Sequence, residues 1–288
     1  MSAASPAPTA LTVPAPAKLN LFLHVTGRRA DGYHTLESLM VMLDFGDTIS
    51  LARRDDGRIG RVTELAGIPA EADLAVRAAR ALREATGTPF GVDLGIVKRI
   101  PQGGGLGGGS SDAASVLLAL NRMWGLDLPR ARLQAIGATL GADVPFFVFG
   151  APALARGVGE RLTAMTIPRR HVTVVVPPVA VPTATIFADP ELTRNAPSAK
   201  MEIFSEAYGR NDLAAVAAAR FPPVAAALLA LSRVAVGPVG ARMTGSGSCV
   251  YASFDTGEAA RAALAAMPAG TRGFVGRTLA RHPLSGFA

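Results

Sequence analysis

The first part of the chain shows the alternation of apolar and polar positions that is typical of β-strands. Between residues 18 and 26, leucine or valine occupies every second position. Because alternate side chains of a strand point to opposite faces, Lys18 and Asn20 are predicted to share one face. Two further extended segments are predicted at 35–43 and 48–53, so the opening of the chain is expected to be rich in β-structure.

Later segments mix strand patterns with the three- and four-residue apolar spacing of helices. Helices are predicted at 73–85, 112–124, 130–140, 213–220, 224–231 and 258–267. Strands are predicted at 92–96, 171–176, 249–254 and 273–281, and the proline- and threonine-rich stretch 177–197 is predicted to be a loop. The two halves mix strand and helix independently, which predicts an α+β fold in two lobes with a nucleotide cleft between them. The expected organisation is a flexible tail at 1–13, a first lobe at 14–167 and a second at 168–288.

Composition narrows the classes of protein that this chain can represent. Its 288 residues are 49% hydrophobic and 18% charged, enough to bury real cores, and its single cysteine, Cys249, excludes an internal disulfide. No apolar run reaches the roughly 18 to 20 residues that span a bilayer, and the start does not resemble a signal peptide. A cytoplasmic protein without a membrane partner is therefore expected.

The net charge of +7 suits an anionic partner, although it is equally compatible with simple solubility. The arginines are scattered, and only 6% of residues are aromatic. No ladder of basic and aromatic residues is present that would bind a nucleic-acid strand. An anionic small molecule is the expected kind of ligand.

The stretch Pro101-Gln-Gly-Gly-Gly-Leu-Gly-Gly-Gly-Ser-Ser111 holds six glycines between a predicted strand and a predicted helix. Glycine lets the backbone approach a phosphate closely, and a helix N-terminus adds positive potential. A flexible linker is the alternative, but linkers do not usually join two patterned elements of one domain. The stretch is predicted to be a phosphate-binding loop.

Several known nucleotide motifs do not fit this loop. Gly103, Gly105 and Gly108 satisfy the dinucleotide fingerprint, but no second strand precedes the acidic residue Asp127. The loop lacks the lysine of a P-loop, and the catalytic motifs of protein kinases do not follow it. A phosphate loop of another class remains.

The glycine-rich loop resembles the phosphate loop of the GHMP kinases. Other stretches that resemble motifs of this family occur in matching order, namely Pro16–Leu23, Gly27–His34, Leu140–Pro145, Pro182–Phe187 and Met243–Cys249. The doubled triple glycine is most similar to the branch of the family that phosphorylates the 2-hydroxyl of 4-diphosphocytidyl-2-C-methyl-D-erythritol in non-mevalonate isoprenoid biosynthesis. The resemblance implies an ATP-dependent kinase that uses Mg²⁺.

The resemblance also implies roles for individual residues. Asp143 matches the catalytic aspartate and Lys18 the active-site lysine. Taken alone, Asp143 would be interpreted as a turn or N-cap aspartate and Lys18 as a solvated strand lysine. The loop residues implied to bind ATP are Pro101, Gly103, Gly104, Gly105, Leu106, Gly107, Gly108, Gly109, Ser110 and Ser111.

At the acceptor end, the resemblance implies a site for the polyol and for the cytosine ring. Asn20 would contact the polyol, Tyr33 and Phe187 would stack on the base, and His34 would bond to its edge. Thr183, Gly245 and Gly247 would complete the substrate site. Taken singly, Tyr33 and Phe187 would be interpreted as ordinary packing residues, and Gly245 and Gly247 as a turn at the entry to a strand.

Some features depart from the family pattern or leave questions open. Asp73 stands where the family commonly has asparagine, and no cluster of histidine and cysteine predicts a metal site made by the protein alone. The alternatives are a GHMP kinase for homoserine or mevalonate, or a nucleotide-binding regulator without catalysis. The sequence does not decide the oligomeric state.

Overall fold

The computed structural model describes residues 8–198, 205, 208–235 and 240–288. The strands in these ranges are β1 (Ala10–Arg28), β2 (His34–Arg54), β3 (Ile59–Arg61), β4 (Gly91–Val97), β5 (Ala153–Gly157), β6 (Arg161–Ala164), β7 (His171–Val175), β8 (Arg242–Met243), β9 (Val250–Phe254) and β10 (Gly273–Leu279). The α-helices are α1 (Leu74–Thr86), α2 (Gly108–Met123), α3 (Arg130–Ala138), α4 (Val144–Phe149), α5 (Thr183–Phe187), α6 (Ala214–Arg220), α7 (Pro222–Val234) and α8 (Gly257–Ala265). Short 3₁₀ turns lie at Ala70–Ala72 and Ser285–Phe287.

A long antiparallel hairpin of β1 and β2 organises the sheet. Along its length β2 also pairs with β4, β10 and β5, and β10 continues through β7 and β9 to β8. Register shifts in the β1–β2 ladder fall just before Lys18 and just after Asn20. Such bulges redirect side chains locally, and these two flank the pair that the sequence predicted on one face.

The buried apolar side chains of the described residues form two large clusters, a smaller cluster between them, and a group of three residues, Phe22, Leu39 and Leu154. One cluster packs α1 and α2 against the sheet around Leu94 and Leu117, and the other packs α6, α7 and α8 against the second half of the sheet around Val250. The smaller cluster, which includes Leu19, joins the hairpin to β7 and β9. The predicted α+β, two-lobed fold is confirmed; the predicted lobe boundary at 167/168 stays a prediction.

The expected flexible tail is wrong for its last residues. Ala10–Val13 are the start of β1, paired with the end of β2, and Val13 is buried in the first cluster. Residues 1–7 of that tail lie outside the described ranges. The alanine and proline content of this segment does not predict a strand. The strand is stabilised by pairing with the end of β2, which is distant in the sequence.

The stretch predicted to be a single loop at 177–197 contains a helix. Helix α5 begins directly after Pro182 and buries Ile186 in the second cluster. Proline is compatible with a helix start because no helical hydrogen bond needs its missing N–H. The two extended segments expected at 35–43 and 48–53 form one strand, β2.

Among the described residues, no single helix has both the length and the apolar character needed to cross a membrane. Helices α6 and α7 meet these criteria only when taken together, and a bend of 118° separates them.

Candidate active site

The glycine-rich loop runs from the end of β4 into α2, as the sequence predicted, but the helix begins earlier, at Gly108. Gly105 and Gly107 have φ of +75° and +73°, which favours glycine over residues with a side chain. A Cβ on Gly105 would lie 2.2 Å from the carbonyl oxygen of Thr244, and one on Gly107 would lie 3.0 Å from Lys18 Cγ. The loop is therefore packed closely against the second lobe and against Lys18.

The loop forms a wall shared by two cavities. One cavity, of about 340 Å³, is lined by Lys18 and Asp143, and we call it the Lys18 cavity. The other, of about 390 Å³, is lined by Lys98, and we call it the Lys98 cavity. Gly103, Gly105, Gly107 and Ser110 line both. A group held on this loop would therefore face both cavities.

Lys18 lies at the base of the Lys18 cavity, with its side chain only 4% exposed. Its Nζ donates to Asn20 Oδ1 over 2.5 Å and lies 3.5 Å from Asp143 Oδ2. Its backbone N–H donates to Leu106 O over 2.9 Å, which ties β1 to the loop. The ammonium group is thus held between a neutral and an anionic partner beside the loop.

Asp143 occupies the N-cap position of α4, but its carboxylate makes no capping hydrogen bond. The side chain is 36% exposed and faces the cavity. The ordinary alternative of a capping aspartate therefore does not describe its side chain. The carboxylate is available to a hydroxyl group in the cavity, next to a fixed positive charge.

Asn20 is held on all sides by polar groups. Its Oδ1 accepts from Lys18 Nζ and from the N–H of Gly245, and its Nδ2 donates to Ser38 Oγ over 2.8 Å. Its backbone N–H donates to Thr244 Oγ1 over 3.0 Å. Asn20 lines the cavity, yet most of its hydrogen-bonding capacity orients Lys18 and the loop after β8.

The loop after β8 brings the second lobe to the site. Gly245 and Gly247 line the Lys18 cavity, and Thr183 bonds to Ser246 across it, with 2.7 Å between the two hydroxyl oxygens. Asn211 Nδ2 donates to the carbonyl oxygens of Met243 and Gly245 over 2.9 and 2.8 Å. These hydrogen bonds hold the loop after β8 in place where it lines the Lys18 cavity.

The residues expected to bind cytosine are only partly brought together. Phe187 lines the Lys18 cavity, and the ring of His34 stacks on it with centroids 5.0 Å apart. Tyr33 is 67% exposed and does not line the cavity. The expected pair of rings, Tyr33 and Phe187, is therefore not assembled around a base-sized gap here, since His34 is the aromatic neighbour of Phe187.

A second ionic cluster, which no sequence pattern indicated, lies in the Lys98 cavity. Lys98 Nζ donates to Asp47 and, over 2.7 Å, to Asp112 Oδ2. Asp112 Oδ1 is buried and has no hydrogen-bond partner among the described residues. Burial raises the pKa of Asp112 to about 7, although the attraction of Lys98 opposes this rise.

Asp73, where the sequence departs from the family pattern, has a structural role. It caps α1 by accepting from the N–H of Ala75, and its Oδ2 accepts from Arg61 over 2.6 Å. The residue also lines the Lys98 cavity. An aspartate here is thus stabilised both by the helix N-terminus and by a buried guanidinium group.

The residues of the glycine-rich loop differ in whether they line a cavity. Pro101, Gly104, Leu106, Gly108 and Gly109 line the Lys98 cavity in addition to the four residues shared by both cavities. Ser111 does not: its hydroxyl is buried and donates to Pro16 O over 2.6 Å. The Ser111 hydroxyl therefore anchors α2 to β1, and the implied contact of Ser111 with ATP stays a prediction.

Family models match both lobes of the chain. The model of the GHMP kinases N terminal domain matches residues 73–151, and that of the GHMP kinases C terminal matches residues 192–271. Together the two matches cover more than half of the chain, and the first contains the whole glycine-rich loop. The chain belongs to the GHMP kinase family.

Close relatives within that family share one name. The 4-diphosphocytidyl-2-C-methyl-D-erythritol kinase of Cupriavidus metallidurans is 52% identical over 99% of this chain and 98% of its own length. The kinase of the same name from Thiobacillus denitrificans is 56% identical over 95% of this chain and 97% of its own length.

Solved structures agree with this placement. The structure of a 4-(cytidine 5'-diphospho)-2C-methyl-D-erythritol kinase superposes with a TM-score of 0.81, at 36% identity, over 93% of this chain and 99% of that chain. A homoserine kinase from Cytophaga hutchinsonii superposes with a TM-score of 0.67 over 98% of this chain and 97% of that chain. At 16% identity, that second likeness shows the fold alone.

Proposed function

We propose that this protein transfers the γ-phosphoryl group of ATP to the 2-hydroxyl of 4-diphosphocytidyl-2-C-methyl-D-erythritol, in non-mevalonate isoprenoid precursor biosynthesis. The observation that carries the proposal is the Lys18–Asp143 pair in a cavity that shares the glycine-rich loop with a second cavity. Two substrates can approach the loop from its two sides. Near full-length identity of 52 to 56% to kinases of that name supports the choice of acceptor.

ATP would lie in the Lys98 cavity with its phosphates on the loop. The first N–H groups of α2 have no partner within the helix, and they point toward the loop with the positive end of the helix dipole. The helix start therefore favours an anion. Lys98 lines the same cavity but is already paired with Asp47 and Asp112.

The acceptor would lie in the Lys18 cavity with its hydroxyl beside Asp143. The Asp143 carboxylate orients this hydroxyl and accepts its proton as the oxygen bonds to the γ-phosphorus and ADP leaves. Lys18 Nζ, 3.5 Å from Asp143 Oδ2, is close enough to orient this carboxylate and to stabilise the charge that develops on the transferred group. Phe187 and His34 would hold the cytosine end, and Tyr33 would have to approach the base from its exposed position.

Mg²⁺ suits this site as an ion held mainly by ATP. Among the described residues, no group of three or more His, Cys, Asp or Glu side chains is arranged to hold a metal. Mg²⁺ usually takes one or two protein oxygens together with phosphates and waters, and Asp143 and Ser110 both line the cavity at the loop. When bound there, the ion would neutralise the phosphate charge.

The site and the chain's features support some wider proposals. The absence of a single membrane-length helix among the described residues and the lone buried Cys249 fit a cytoplasmic enzyme. The lobe boundary near residue 167 falls between the two family matches.

Steady-state assays of ATP turnover across a panel of acceptors test the proposal. Turnover is expected with the diphosphocytidyl polyol and not with mevalonate, homoserine or galactose. Turnover with one of those three, and none with the cytidine substrate, would reject the acceptor. A protein that binds ATP but turns over none of them would be the non-catalytic regulator.

A further inference from the structure

Arg194, which no sequence motif marked, lies in the segment after α5 with its guanidinium group fixed by backbone. Its Nη2 donates to the carbonyl oxygens of Phe187 and Asp189 over 3.0 and 2.6 Å, and its Nη1 donates to Leu192 O over 3.1 Å. Its Nε donates to His34 Nε2 over 3.1 Å. Three backbone carbonyls set the plane of the guanidinium group. The Nε–H therefore points at His34 in any protonation state of the imidazole.

This contact determines which nitrogen of His34 carries the proton. A guanidinium group has only donors, so Nε2 must offer its lone pair, and the hydrogen of the neutral ring must be on Nδ1. Among the described residues, Nδ1 itself has no hydrogen-bond partner. Stacking on Phe187, which lines the Lys18 cavity, fixes the plane of the ring.

The charged groups around the ring keep it neutral. Burial lowers the pKa of His34, and the two cations that face it, Arg194 and Arg28, lower it further. At neutral pH the ring is therefore a neutral imidazole. Its donor, Nδ1–H, is available, and its acceptor, Nε2, is already bonded to Arg194.

We propose that Arg194 is a positioning residue that fixes His34 as the Nδ1–H tautomer, so that the site selects cytosine over uracil. This inference rests on the proposed function. Cytosine has an unprotonated ring nitrogen, N3, that accepts a hydrogen bond, whereas uracil carries a hydrogen at N3. A fixed Nδ1–H donor can bond to N3 of cytosine. In uracil the same donor would face the N3–H, which is also a donor.

The selectivity for cytosine comes from the restraint that Arg194 places on the tautomer of His34. A neutral histidine without Arg194 can place its hydrogen on either nitrogen, so it can present a donor or an acceptor to the base. A site built around one hydrogen bond discriminates strongly against an analogue that cannot make it, because a buried polar group is then left unpaired.

The test compares the diphosphocytidyl polyol with its uridine analogue for the unaltered enzyme and for Arg194→Met. We expect Arg194→Met to raise the KM for the cytidine substrate roughly tenfold or more, the scale of one lost or misdirected hydrogen bond, while kcat changes by less than about twofold. The preference for cytidine over uridine should fall by a similar factor. Arg220→Met is the matched control, since Arg220 bonds to Asp189 of the same segment but does not contact His34.

Acid should partly reverse the effect of Arg194→Met. Removing one of the two facing cations raises the pKa of His34, and the protonated ring carries hydrogens on both nitrogens, including Nδ1. The KM of Arg194→Met should therefore fall toward that of the unaltered enzyme between about pH 8 and pH 6, whereas the KM of the unaltered enzyme stays nearly constant. In a His34→Asn background, Arg194→Met should no longer change the base preference.

A direct measurement holds even if Arg194→Met folds poorly. Nitrogen-15 NMR of the unaltered enzyme should show the His34 proton on Nδ1; the chain has four histidines, and His34→Asn assigns the signal. A proton on Nε2, or an equal and pH-independent loss for both bases in Arg194→Met, would overturn the inference while leaving the proposed function intact. No turnover of the diphosphocytidyl polyol by the unaltered enzyme would instead reject the proposed function, and this inference with it.

Discussion

Lys18 is a charged side chain in an almost fully buried place, and its surroundings explain how the fold tolerates it. The cost of removing an ammonium group from water is offset only when good partners replace the water. Asn20 Oδ1 lies 2.5 Å from Lys18 Nζ and Asp143 Oδ2 lies 3.5 Å away. The longer distance belongs to the more exposed partner, which leaves Asp143 free to interact with a bound hydroxyl.

Asp143→Asn should separate chemistry from folding. The substitution keeps the size of the side chain and removes its charge, and no capping bond is lost because the carboxylate makes none. We expect kcat to fall by roughly 10² to 10⁴, as for a lost general base, with little change in ATP affinity or thermal stability. Near-normal turnover would make Asp143 an ordinary turn residue.

Lys18→Met should act on the same step. The charge contact that it removes is made most strongly in the transition state, so kcat should fall more than KM rises. In a double-mutant cycle with Asp143→Asn, the combined loss should be much smaller than the product of the single losses, because the two groups share one task. Strictly multiplicative losses in steady-state kinetics would show that the residues act independently.

Asp112 should make stability depend on pH in an unusual direction for a carboxylate. Its folded-state pKa of about 7 lies above the usual value, so the folded state binds the proton more tightly. The contribution of this group to the free energy of unfolding is then fully present below about pH 4 and lost as the pH rises through about 7.

Asp112→Asn should therefore raise the urea midpoint at about pH 8, by a stability gain on the order of a few kcal/mol at most, and should change it little at about pH 4. Asp55→Asn is a suitable control because the Asp55 side chain is 77% exposed. A larger gain at the acidic pH would contradict the assigned direction.

The glycine-rich loop and the start of α2 behave as one element, and their glycines are not equivalent. A side chain at Gly105 would collide with backbone of Thr244, so a substitution there would disturb the contact between the lobes. At Gly109 a Cβ would meet only Leu74 Cδ1, at an ordinary 3.4 Å, and the residue lies inside the first turn of α2 while lining the Lys98 cavity.

Gly109→Asp should abolish ATP binding without unfolding the protein. A carboxylate in the first turn of a helix stabilises the helix, but here it would also place negative charge where the phosphates are proposed to lie. Isothermal titration calorimetry should show loss of ATP binding, whereas Gly109→Ala should retain binding and gain up to about 1 kcal/mol of stability from helix propensity. Unchanged affinity in Gly109→Asp would mean that the phosphates do not bind at this helix start.

At the scale of the whole molecule, Thr244 connects the two lobes at the site. Its side chain is fully buried, and its hydroxyl accepts from the backbone N–H of Asn20 in the first lobe. The same hydroxyl lies 3.4 Å from Gly105 O in the glycine-rich loop. One side chain of the second lobe therefore contacts both β1 and the loop.

Thr244→Val should destabilise the protein by about 1 to 3 kcal/mol, because it keeps the shape but leaves a buried N–H of β1 unpaired. We also expect a lower kcat, since the Asn20 that orients Lys18 loses this support. Thr244→Ser keeps the hydroxyl and should retain most of both, by thermal unfolding and steady-state kinetics. Equal stability of the two variants would show that the hydroxyl bond is not what joins the lobes.

Much of the local structure could be predicted from the sequence. The helices at Leu74–Thr86, Arg130–Ala138 and Gly257–Ala265 follow apolar spacing that nearby residues alone produce, and their bounds differ from the prediction by a few residues. Ala10–Val13 and α5 were missed, because strand pairing with a distant segment and burial of Ile186 are not visible in a local pattern.

The sequence by itself determined the glycine-rich loop between a strand and a helix, the shared face of Lys18 and Asn20, and the motif order of the GHMP kinases, because these depend on local backbone preferences and on residue identity. Only the tertiary structure decided that Asp143 lies beside Lys18, that Ser111 turns away from the cavities, and that His34 is bonded to Arg194 and stacked on Phe187. Those contacts join residues far apart in the chain, and their geometry is fixed by how the two lobes pack against the β1–β2 hairpin. The periodicity of a sequence shows which side chains share a face of one helix or strand. It carries no information on which distant element will pack against that face.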